Sequence, residues 1–83
     1  MLRIAPNPAV QTVTIDRTLS WPGSVLITIY DASGRYVRSL TMKSSRIVWD
    51  LTDQHGAQVN AGVYFVEMET ETGQVMKKLV LLK

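Results

Sequence analysis

The side chains able to do chemistry in this chain are few and scattered. His55 is the only histidine, and it sits in a turn-like run, Asp-Gln-His-Gly, from Asp53 to Gly56. A metal centre wants several convergent ligands, and there is no cysteine to offer a thiolate. Serines occur, but none lies in a G-x-S-x-G nucleophile elbow. A triad would have to take its base from the lone His55, so His55 reads as a solvated turn residue. Glu67, Glu69 and Glu71 alternate, and a period of two sets them on one face of a strand. Such a strip could bind calcium or a protein. D-x-D-x-D-G loops are missing, and the strip reads as a solvated face that resists edge pairing. Trp21 and Trp49 could stack on sugars, yet two separated tryptophans do not make a platform. Trp49 reads as a core or half-core residue, and Trp21, before Pro22, as part of a turn. The expectation is a non-enzymatic chain with no cofactor and no metal.

Size and charge narrow the field further. Eighty-three residues make one domain, 1–83, with no disulfide to staple it, so packing alone must hold it. The net charge is +2, and the basic residues are spread and mixed with acids. A nucleic-acid binder needs a concentrated basic face, so that class is set aside. No apolar run reaches the roughly 20 residues of a membrane-spanning helix. No signal peptide opens the chain. The protein is therefore either cytoplasmic or a piece of a longer exported one.

The elements that must carry these residues are short strands punctuated by turns. Expected strands cover Thr12–Asp16, Ser24–Tyr30, Tyr36–Leu40, Arg46–Asp50, Gly62–Thr70 and Val75–Leu82, with a further one at Leu2–Ile4. No window shows a helical stripe, and β-branched residues fill most segments. Asp31 to Gly34 and Asp53 to Gly56 use one turn device. The aspartate accepts from backbone N–H groups ahead of it, and the glycine takes positive φ. Glu71 to Gln74 should close the last hairpin, and Trp21 to Gly23 should make another turn. This is the pattern of an all-β, seven-stranded antiparallel immunoglobulin-like β-sandwich without the antibody cysteine–tryptophan–cysteine hallmark. The expected core is Val13, Ile15, Val25, Ile27, Ile29, Val37, Val48, Tyr64, Val66 and Met68. The last strand is apolar on both faces, with Leu79 and Leu81 on one and Val80 and Leu82 on the other. It should be central, or have its outer face covered by another domain.

Pro6-Asn7-Pro8 removes two backbone donors and keeps Asn7 out of the α region. It reads as a stiff elbow through which the chain enters its fold. Taken with IYDASGRYV, the Trp49-Asp50 pair and the closing NAGVYFVEMETETGQVMKKLVLLK, it resembles the type A C-terminal sorting domain of the type IX (Por) secretion system. The likeness runs from about Ile4 to Lys83. The motif residues are Pro6, Asn7 and Pro8 at the elbow, Asp31, Gly34 and Arg35 at the hairpin, and Gly62 and Tyr64 in the late strand. The same residues are similar to the immunoglobulin-like domain of flagellar hook-capping proteins. The Pro-Asn-Pro-Ala opening and the basic, apolar last strand favour the sorting domain.

The resemblance implies a non-catalytic address cut from a larger secreted protein. An N-terminal cargo would cross the inner membrane with its own distant signal peptide and fold in the periplasm. Shuttle proteins and the outer-membrane translocon would read the domain, and a sortase-like peptidase would cut upstream of it. The cargo would end at the cell surface or in the medium. The surface expected to be read is the last hairpin, with Lys77, Lys78, Val80, Leu82 and Lys83 as contacts. Its edge would be open to strand addition or to self-association. The runner-up is a hook-capping-like or carbohydrate-binding accessory domain of a surface protein.

Overall fold

The computed structural model describes residues 2–9, 11–17, 25–70 and 73–82. Its strands are β1 (Leu2–Ala5), β2 (Val13–Arg17), β3 (Val25–Asp31), β4 (Tyr36–Met42), β5 (Arg46–Trp49), β6 (Gly62–Thr70) and β7 (Gly73–Leu81). They form two antiparallel sheets, one ordered β1-β2-β5 and the other β4-β3-β6-β7. The expected all-β sandwich and its strand positions are met. The Trp21–Gly23 turn lies outside the described residues, as do Glu71 and Thr72 of the last turn.

Alternation builds the core. On β2, Val13 and Ile15 point inward, and their partners on β5 are Trp49 and Ile47. From the other sheet, Ile27, Ile29, Tyr64, Val66, Met68, Leu79 and Leu81 close over them. β4 runs on to Met42 because Met42 pairs with Val25 and faces the same interior. One expected core residue is wrong. Val48 is 56% exposed, whereas Trp49 is 1% exposed. Neighbours on a strand face opposite ways, so only one of the two could be buried. Val48 pairs with Thr14 on the solvent face, beside the Arg46–Asp16 ion pair of 2.6 Å. The Trp49 ring meets Tyr64 edge-on, with centroids 6.3 Å apart, and its Nε1 donates to the Thr52 carbonyl. Tyr64 in turn donates its hydroxyl to the Asn60 carbonyl at 2.6 Å. Both polar tips are thereby satisfied inside an apolar layer.

The two aspartate turns are copies of one device. Asp31 Oδ1 accepts from the N–H groups of Ser33 and Arg35. Asp53 Oδ1 accepts from those of His55 and Ala57. Gly34 at φ 87° and Gly56 at φ 84° take the left-handed step that closes each turn. Leu51 does the same at φ 63° with a buried side chain, which nothing in its type foretells.

Candidate functional site

The opening elbow and the last strand form one structure. β1 pairs with β2 in the three-stranded sheet. The chain then bends at Pro6–Pro8 and reaches the edge of the other sheet, where Ala9 bridges Leu81 in parallel. Ala9 N–H donates to the Val80 carbonyl at 2.9 Å, and Leu82 N–H donates to the Ala9 carbonyl at 2.7 Å. Between the prolines, the Asn7 side chain takes over the ladder. Its Oδ1 accepts from Val80 N–H and its Nδ2 donates to the Lys78 carbonyl, both at 3.0 Å. A primary amide carries the same donor and acceptor as a peptide unit. Asparagine thus supplies from its side chain what the flanking prolines cannot supply from their backbone.

This corrects two expectations about the last strand. β7 is not central, because it ends the order of its sheet. Its edge is not open to strand addition along residues 78–82 either, because Asn7 and Ala9 occupy it. The side chains remain available. Leu79 and Leu81 are buried, Val80 is half-buried, and Leu82 is exposed. Lys77 pairs with Val66 and Lys78 with Phe65, so the two lysines leave β7 on opposite faces. Both still line one open depression of about 420 Å³, shared with Leu2, Arg3, Ile4 and Asn7. Lys83 lies outside the described residues.

Arg3 was not among the residues expected from sequence. Its signal was its place next to the elbow, which becomes meaningful only once β1 and β7 are brought side by side. Three cations, Arg3, Lys77 and Lys78, thus line the depression together with Leu2 and Ile4. Of the other motif residues, Arg35 reaches back to Asp31 at 3.7 Å, and Gly62 opens β6. Asp31, Gly34 and Tyr64 are explained by turn and core geometry. Among the described residues no three of His, Cys, Asp and Glu converge as a metal site. Among the same described residues no helix is long and apolar enough to cross a membrane.

The carboxylates of the turns have shifted titration. Hydrogen bonds from the Ser33 hydroxyl, and then from Arg35 N–H, hold Asp31 below the ordinary aspartate value. The N–H groups of His55 and Ala57 do the same for Asp53, and the Thr52 hydroxyl for Asp50. These bonds hold the turns that follow β3 and β5.

The fold has known counterparts. PorZ, an essential bacterial surface component of the type-IX secretion system of Porphyromonas gingivalis, superposes with a TM-score of 0.80 at 19% identity. That match covers 99% of this chain and 11% of PorZ. Dimeric latent PorU from Porphyromonas gingivalis gives 0.75 at 29% identity, covering 98% of this chain and 9% of PorU. FlgD from Xanthomonas campestris, a hook-capping protein, gives 0.52 at 25% identity, covering 93% of this chain and 59% of FlgD. The chain thus spans about a tenth of the length of PorZ and PorU. No curated protein matches it by sequence. The family described as secretion system C-terminal sorting domain matches residues 3–82. The chain belongs to that family, and it is a C-terminal signal for type IX secretion.

Proposed function

We propose that this domain is the folded address of a larger cargo protein, read in the periplasm by the type IX machinery. Its membership of the sorting-domain family over residues 3–82 carries this reading. Export to the cell surface or the medium is the outcome for such cargo. Shuttle proteins and the outer-membrane translocon are the proposed readers. A sortase-like peptidase cutting upstream of the domain is the proposed final step. The domain itself does no chemistry in this scheme; it offers a rigid surface. The depression formed by Arg3, Lys77 and Lys78 beside Asn7 is the proposed contact, with Val80 and Leu82 of the last strand, and Lys83 after them in sequence, as further proposed contacts. Rigidity matters because a pre-formed surface spends little entropy on docking. The likeness to the hook-capping protein is one of shared architecture and supports no separate function.

The test is an export assay. Residues 2–83, with a flexible linker before them, are fused behind a fluorescent protein carrying a signal peptide. The fusion is expressed in a bacterium with a type IX system and in a translocon-deficient strain. Fluorescence outside the first strain and inside the periplasm of the second is expected. Retention in the periplasm of both strains, with the domain folded, would end this reading.

A further inference from the structure

The outer face of the four-stranded sheet carries a groove that the sorting role leaves unused. Direct partners across strands share a face. The register therefore sets Tyr36, Tyr30, Phe65 and Lys78 in one row across β4, β3, β6 and β7. The next row carries Ser39, Thr28, Glu67 and Met76. Between these rows lies an open groove of about 270 Å³, lined by Tyr30, Gly34, Phe65, Glu67 and Met76. Met76 is 53% exposed and Tyr36 is 46% exposed. These are large apolar groups for a solvent face.

We propose that this groove receives a cationic side chain, arginine or lysine, from a protein partner. Each wall suits such a guest. Aromatic rings attract a cation through their electron-rich faces. A carboxylate adds a charge-assisted hydrogen bond. The thioether of Met76 and the rings pack against the guest's methylenes, as a long basic side chain prefers. The field of the groove is acidic where it is aromatic. The Tyr30 hydroxyl is held above its ordinary titration by partial burial, and then by the carboxylates of Glu67 and Glu69. The nearby Asp31 carboxylate is engaged in its turn and with Arg35, whereas the Glu67 carboxylate accepts from the Tyr30 hydroxyl and keeps further acceptor positions for the guest. Lys78 bounds the aromatic row on the far side and closes it to a second cation.

A sugar fits less well. Rings on adjacent strands stand only about 4.8 Å apart, closer than one ring per sugar unit requires, and the volume holds a single side chain. A carboxylate or phosphate guest would meet Glu67.

The experiment is a methyl and aromatic NMR titration of the domain. The probe is the peptide acetyl-Gly-Arg-Gly-amide, set against the same peptide with neutral citrulline for arginine. A saturable shift of the Met76 methyl and of the Tyr30 and Phe65 ring signals is expected with the arginine peptide. The buried Met42 and Met68 methyls should stay still and report an intact fold. Binding should weaken about fivefold with citrulline and about fivefold in Glu67→Gln, the size expected for an exposed cation over aromatic rings. No saturable shift at Met76, equal binding of the citrulline peptide, or undiminished binding by Glu67→Gln would each overturn the proposal.

Discussion

Asn7 and Val80 are joined across 73 residues of sequence by one hydrogen bond of 3.0 Å, in which a side-chain amide oxygen stands in for a backbone carbonyl. With the matching bond from Asn7 to the Lys78 carbonyl, this contact fastens the elbow to the last strand. Asn7→Ala should therefore cost roughly 1–2 kcal/mol, because two backbone groups lose their partner. For a domain of this size each kcal/mol is worth roughly 4–8 °C in melting temperature. Asn7→Asp should keep the Val80 bond but set a charge against the Lys78 carbonyl. Thermal melting, with hydrogen exchange at the Val80 amide, checks both variants. Unchanged protection of that amide in Asn7→Ala would show that the clasp contributes nothing.

The core makes a paired prediction. Trp49→Ala should cost about 3–5 kcal/mol, much of what a domain of this length has to lose. Val48→Thr, one residue away on the solvent face, should stay within about 0.5 kcal/mol of the parent. Tyr64→Phe removes the bond to the Asn60 carbonyl and should fall between them, near 1 kcal/mol. Urea unfolding of the three variants gives the ranking.

Acid should loosen the turns. The carboxyls of Asp31, Asp50 and Asp53 titrate below the ordinary aspartate range in the fold. A carboxyl whose folded value is depressed stabilises the fold above its unfolded value, and that stability is lost as pH falls through the folded one. The melting temperature should be flat from neutral pH to about pH 4 and decline below that. The double variant Asp31→Asn, Asp53→Asn still accepts the turn N–H groups but no longer titrates. Its melting temperature should decline less on acidification, and an identical decline would remove these two residues as the cause.

Export offers the fourth prediction. Lys77 and Lys78 leave β7 on opposite faces yet line one depression with Arg3. Single reversals Lys77→Glu and Lys78→Glu should each lower export severalfold, with melting changed by no more than about 0.5 kcal/mol. Full export by both folded variants would take the depression out of the recognition surface.

Much of this architecture was legible in the residues. Alternation located the strands, and the Asp-x-x-Gly runs located both turns with their donors and acceptors. The Val48–Trp49 error came from reading a short strand in which both phases offered an apolar residue. Only the pairing of Trp49 with Val13 decides the phase. The last strand misled for a related reason. Its two-sided apolar pattern suggests a central place, whereas an edge position covered by the elbow satisfies the same pattern. The elbow itself was visible as a bend, but its partner was not, because local sequence carries no sign of a contact made 71 to 73 residues away. The left-handed Leu51 was equally hidden, since its conformation is imposed by the core that its side chain enters.

The clasp between Asn7 and residues 78–80 also sets when the domain can exist. Asn7 and Ala9 find their partners only on the last strand, so the clasp cannot form until β7 has been made. Leu79 and Leu81, on the strand that Asn7 clasps, are buried in the core. A truncated product lacking them would stay open and soft. Folding of this domain is thus a certificate that translation has run to the end of β7. A machine that reads only the closed form would pass chains that include β7 and leave behind those that lack it.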